Sequence, residues 1–141
     1  MSSRTLLAFD FGRQRIGIAV GQEITNSSNP LTTLKAINNK PDWDGISKLI
    51  NEWQPDALVV GIPLQMDGSE QEMSQAARRF GRQLHGRYRL PIFEADERLS
   101  SREAEQQIKQ QRNNGTRGRS QKGDIDKLAA SVILQRWLDE Q

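Results

Sequence analysis

The chain has 141 residues, 35% hydrophobic and 27% charged, with no cysteine and a single histidine. That length fits one domain over residues 1–141 with a sizeable core, and the missing thiols exclude a disulfide scaffold or a cysteine-rich zinc site. No apolar run reaches the length of a membrane span and the N-terminus lacks the order of a signal peptide, so we expect a soluble, cytoplasmic protein. The net charge of +2 is unevenly spread: six basic against nine acidic side chains over residues 1–77, and fourteen against nine over residues 78–141. The C-terminal half is therefore the part expected to meet a polyanion.

Leu6 to Val20 reads as a β-hairpin. An apolar run carrying Asp10 breaks at Gly12, crosses Arg13, Gln14 and Arg15, and resumes at Ile16. The first strand reads as central in a sheet, where an acid is costly unless a cation, a proton or a metal compensates it. With no cysteine and one histidine, metal ligands here would be oxygens, which points to Mg²⁺ or Mn²⁺.

Gly21 to Pro30 is polar and turn-rich, and Leu31–Leu34 is expected as a short third strand. Asp42 is placed to cap a helix with Trp43, Ile46, Leu49, Ile50 and Trp53 on one face. Pro55 ends it, and Ala57–Ile62 is a continuous apolar run of strand length. A loop with Pro63 and an Asp67-Gly68 turn leads to Ser69 and Glu72, the pattern of a capping box, before a helix with Met73, Ala76, Ala77, Phe80 and Leu84 in register. His85 near its end is expected on the surface. Pro91–Ala95 reads as a strand followed by Asp96, Glu97 and Arg98, and Ser100 with Glu103 marks another helix start. Gln106–Gly123 holds no acid while Lys109, Arg112, Arg117, Arg119 and Lys122 recur, so it reads as a basic loop. A last helix is expected over about Asp124–Leu138.

Helical geometry separates two acids of that helix. Asp126 falls in the apolar arc between Ile133 and Trp137, whereas Asp124 falls on the polar arc and serves as an N-terminal cap. A carboxylate facing the core implies a cation there, which makes Asp126 a partner for Asp10. Glu97 is the third candidate, because acids just past a strand in an open α/β sheet stand where such folds place their sites, and Asp96 or Glu94 could substitute for it. Alternatively, Arg15 or backbone donors satisfy Asp10, and Glu97, Arg98 and the basic loop are a solvated surface. Three converging carboxylates repel one another unless divalent cations neutralise them. Two such ions clamp the attacking and leaving oxygens of a phosphodiester without any His or Cys nucleophile.

Four stretches in order, DFGRQRIGIAVG, VVGIPLQMDGSE, DERLSSREA and KGDIDKLAASVILQRWL, together resemble the YqgF/RuvX family of pre-16S rRNA nucleases, also described as Holliday junction resolvase-like. The resemblance implies an RNase H-like α/β fold, a mixed five-stranded sheet flanked by helices, and a metal-dependent nuclease. It carries the acidic triad to Asp10, Glu97 and Asp126 as catalytic residues and metal ligands, with Mg²⁺ or Mn²⁺ as cofactor. It implies processing of the 5′ end of the small-subunit rRNA precursor in ribosome biogenesis. Arg98, Arg117, Arg119 and Lys122 are then the expected phosphate contacts.

Other readings are a resolvase of four-way DNA junctions, which would need a homodimer to cut two strands, and a module that binds structured RNA without cutting it. An actin-like or sugar-kinase ATPase would need a second lobe, for which 141 residues leave no room.

Overall fold

The computed structural model describes residues 4–65, 67, 69–96 and 122–141, with the side chains of 122–124 excepted. In chain order the described elements are β1 (Thr5–Asp10), β2 (Arg15–Gln22), β3 (Ser27–Lys35), α1 (Trp43–Trp53), β4 (Ala57–Ile62), α2 (Glu72–Tyr88), β5 (Ile92–Asp96) and α3 (Lys122–Asp139). The five strands form one mixed sheet in the order β3-β2-β1-β4-β5. β1 pairs antiparallel with β2 and parallel with β4, and β4 pairs parallel with β5. β1 is thus the central strand, as its composition led us to expect. Among the described residues no helix is long and apolar enough to cross a membrane.

Strand alternation divides the core into two layers. Leu7, Phe9, Leu58, Val60 and Ile62 face α1 and α2, meeting Ile46, Ala77, Phe80 and Leu84. Leu6, Ala8, Ala19, Ala57 and Val59 face the other way and meet Ala130, Ile133, Leu134, Trp137 and Leu138 of α3. Covered on both faces, β4 is buried at all six positions, which is why its sequence runs apolar without alternation.

α1 matches its expected span, and the Asp42 carboxylate accepts the Gly45 N–H at 3.0 Å as its cap. The start of α2 corrects the sequence reading. Ser69 donates to Asp67 Oδ1 within the preceding turn, and Ser74 takes the capping role expected of Glu72. The Ser74 hydroxyl accepts the Gln71 N–H at 3.0 Å and donates to the Pro63 carbonyl, a partner eleven residues away. Edge strand β3 begins at Ser27, four residues before the expected start, because Ser27–Pro30 pair with β2 through their backbone despite polar side chains. α3 starts at Lys122, so Asp124 lies inside the helix rather than at its cap, and Lys122 belongs to the helix rather than to the preceding loop. The helix expected after Ser100, and most of the basic loop, lie outside the described residues.

Candidate active site

Asp10 is the last residue of β1 and is half-buried. It alternates with Leu6 and Ala8, both packed against α3, so its side chain belongs to the α3 face of the sheet. Its cross-strand partner on β2 is Gly17. A Cβ built on Gly17 would stand 2.0 Å from the Asp126 carbonyl oxygen and 2.9 Å from the Lys127 nitrogen. Only a residue without a side chain lets the first turns of α3 lie against the strand there. Two turns of helix further on, Gly21 repeats the device, its absent Cβ leaving room for Leu134.

This packing sets the relation of the two acids. Cross-strand Cα atoms in an antiparallel pair lie about 4.5–5.5 Å apart, which brings the Asp126 backbone within about 9 Å of the Asp10 Cα. Gly17, opposite the C-terminal residue of β1, lies between them. Asp126 is half-buried, and its Oδ2 accepts a hydrogen bond from Arg15 Nε at 2.8 Å. Arg15 opens β2, two residues toward the turn from Gly17 and on the same face. The cation expected for a core-facing Asp126 is therefore present, and it is the residue that could instead have been assigned to Asp10.

The C-terminal ends of β1, β4 and β5 point the same way, because the three strands are parallel. β5 ends at Asp96, and Glu97 lies outside the described residues, as do Arg98, Arg117 and Arg119, together with the side chain of Lys122. The substitutes named for Glu97 are directed elsewhere. Glu94 pairs with Val60, on the α1–α2 side, where Arg78 Nη1 donates to its Oε1. Asp96 alternates with Glu94 and so shares that face. Among the described residues no three acids or histidines come close enough to hold one metal ion. His85 is exposed near the end of α2, its Nδ1 3.0 Å from the Leu90 carbonyl oxygen, away from Asp10.

Asp10 and Asp126 supply carboxylate oxygens with neither thiolate nor imidazole beside them, a donor set for hard divalent cations. The close approach of the Asp126 backbone to Gly17 leaves the two acids on one face of the sheet, so these residues fit such an ion. Sequence reasoning missed Gly17 and the pairing of Arg15. The first was signalled by a glycine inside a strand-like run, a mark of close backbone approach. The second spans 111 residues and has no local signature.

A central strand ending in an acid, an antiparallel hairpin beside it and parallel strands beyond, crossed by a C-terminal helix carrying a second acid, define the RNase H-like class of α/β proteins. T. thermophilus RuvC in complex with a Holliday junction substrate shares this fold at a TM-score of 0.55, with 13% identity over 96% of this chain and 94% of that one. A family model described as "RuvX: Holliday junction resolvase" matches residues 4–140, and the chain belongs to the RuvX family. A protein of Nitrosococcus oceani is 54% identical over 98% of this chain and 88% of its own. One of Pseudomonas paraeruginosa is 49% identical over 97% of this chain and 93% of its own. Both bear the name "Putative pre-16S rRNA nuclease".

Proposed function

We propose that this chain is a divalent-metal-dependent nuclease that hydrolyses phosphodiester bonds and trims the 5′ end of the pre-16S rRNA, acting in the cytoplasm as one domain over residues 1–141. The observation that carries the reading is the seating of Asp126 over Gly17, the strand partner of Asp10. Relatives that align over nearly their whole length and carry the nuclease name support the substrate.

Asp10 and Asp126 are the carboxylates that would hold Mg²⁺ or Mn²⁺, with Glu97, next in sequence after β5, as the third. Ions bound there would neutralise charge on the phosphate and lower the pKa of a bound water. Asp10 is fixed by its place at the end of the central strand, where it pairs with Gly17. Asp126 is fixed twice, by the backbone approach to Gly17 and by Arg15 at 2.8 Å. The Arg15 guanidinium keeps one carboxylate oxygen engaged and leaves the other to the site. Arg98, Arg117, Arg119 and Lys122 would hold phosphates of the substrate from the basic segment.

The family description favours a second reading, cleavage of four-way DNA junctions by a homodimer. Purified protein incubated with precursor rRNA and with four-way junctions, in Mg²⁺ or Mn²⁺ and in chelator, separates them. Cleavage of the RNA that stops in chelator supports the first reading, and cleavage of junctions alone supports the second. Salt-sensitive RNA binding with no cleavage of either would leave a binding module instead.

A further inference from the structure

On the opposite face of the sheet from Asp10 and Asp126, α1, α2 and the β1–β2 turn enclose an open groove of about 730 Å³. Its lining includes five cations, Arg13, Lys40, Arg79, Arg82 and Arg87, and one acid, Glu72. That acid is already engaged by Arg13 Nη2 at 2.8 Å. Among the described residues Lys40, Arg79 and Arg82 have no carboxylate within ion-pair distance, and all three are exposed. Arg87 lies over the Trp43 ring at 4.0 Å, and Phe11 and Trp43 give the groove an aromatic wall.

Glu72, Gln75, Arg79 and Arg82 recur at helical spacing along one side of α2, and Arg87 stands further along and round the helix, over Trp43. Arg79 to Arg87 spans about 12 Å at 1.5 Å per residue. The groove begins at Phe11 and Arg13, directly after Asp10 in the chain, so the β1–β2 turn is a ridge with the acids on one side and the groove on the other.

We propose that this groove binds the phosphate backbone of a single-stranded RNA segment flanking the cleavage point, led over the β1–β2 turn from the acidic site. The inference rests on the nuclease reading for its direction, and on the unneutralised cations for its ligand. A single strand can bend over the narrow ridge, which a duplex of fixed width cannot follow. Phe11 and Trp43 already pack on Phe80, and Arg87 covers the Trp43 ring, so the groove offers its cations to phosphates rather than its rings to bases.

The test uses the full chain in chelator, so that nothing is cut, and a labelled single-stranded oligoribonucleotide read by fluorescence anisotropy. Arg79→Ala with Arg82→Ala should weaken binding about tenfold or more near 50 mM salt. The slope of log Kd against log salt should fall by about 1.4, at about 0.7 per lost phosphate contact on a single strand. Arg79→Lys with Arg82→Lys should keep most of both, since charge is retained. A blunt duplex should bind the Ala variant and the parent alike. Unchanged affinity and slope for the single strand would overturn the proposal, as would an equal loss for the duplex. Cleavage by the parent in Mg²⁺ or Mn²⁺ is scored separately. Loss of single-strand binding in the Ala variant without any parental cleavage keeps the groove and removes the nuclease reading, and the reverse pattern does the opposite.

Discussion

The carbonyl oxygen of Asp126 occupies the space that any side chain on Gly17 would need, 2.0 Å from where a Cβ would stand. A steric vacancy on β2 thereby decides where a carboxylate of α3 is placed. Gly17→Ala should push α3 off the sheet at its first turns and destabilise the protein by about 3 kcal/mol, the upper range for overpacking. A urea midpoint equal to that of the parent would show that α3 does not need this approach.

Arg15 holds one oxygen of the Asp126 carboxylate whose other oxygen the proposed ion would use. With the pair only half-buried, Arg15→Met should cost no more than about 1 kcal/mol of stability. It also removes a positive charge beside the proposed ion, and Mn²⁺ affinity measured by calorimetry should rise by about threefold to tenfold. Weaker Mn²⁺ binding in that variant would mean that Arg15 orients Asp126 more than it opposes the ion.

Asp10→Asn, Glu97→Gln and Asp126→Asn should each lower metal-dependent cleavage of precursor rRNA by about a hundredfold or more, consistent with losing an ion-holding carboxylate. Circular dichroism should be unchanged. Parental rates in any one variant would remove that residue from the site.

For the basic segment, Arg117→Ala with Arg119→Ala should weaken RNA binding more at low salt than at high, as counterion release requires. Equal affinities at both ionic strengths would return those residues to an ordinary solvated surface.

The pH dependence of stability has an identifiable source at the far end of the sheet. Arg4 Nε donates to Glu23 Oε1 at 2.8 Å and holds the Glu23 carboxyl below its ordinary value of 4.5. Arg4 also lies over the Phe93 and Trp137 rings, at 5.4 and 5.8 Å, tying β1 to β5 and α3. Because the folded value is depressed, this pair stabilises the protein above pH 4.5, and that stabilisation is lost as pH falls through the folded value. Glu70 beside Arg78 acts with the same sign. Urea midpoints should fall on acidification below about pH 4.5, and Glu23→Gln should flatten that limb; a limb of unchanged steepness would rule the pair out as its cause.

α1 and β4 were readable from sequence because each carries its environment in its own period: one apolar stripe behind an Asp cap, and one strand apolar at every position. β3 was read short because an edge strand with a solvated face needs only its backbone to pair, so Ser27, Ser28 and Asn29 give no apolar signal. The cap of α2 is not legible locally because Ser74 answers to the distant Pro63 carbonyl as well as to the Gln71 N–H. At the site, the inward aim of Asp126 followed from helical geometry, but its partner did not, since Arg15 meets it only after the sheet and α3 have packed. The RNase H-like fold and RuvX membership, expected from four motifs in order, were borne out. Arg79 and Arg82 carry no signal of a groove in the sequence, because a groove is made by what stands opposite, here Lys40 and Trp43 of another segment.

The two acids placed on either side of Gly17 are 116 positions apart in the chain, and the ribosome delivers them at different times. At roughly 5–20 residues per second, about 6 to 23 seconds of translation separate Asp10 from Asp126. During that interval the nascent sheet carries Leu6, Ala8, Ala19 and Val59 on a face that α3 has not yet covered. Until α3 docks, that apolar face stands open, and on the proposed reading the chain lacks its second carboxylate for as long as it does.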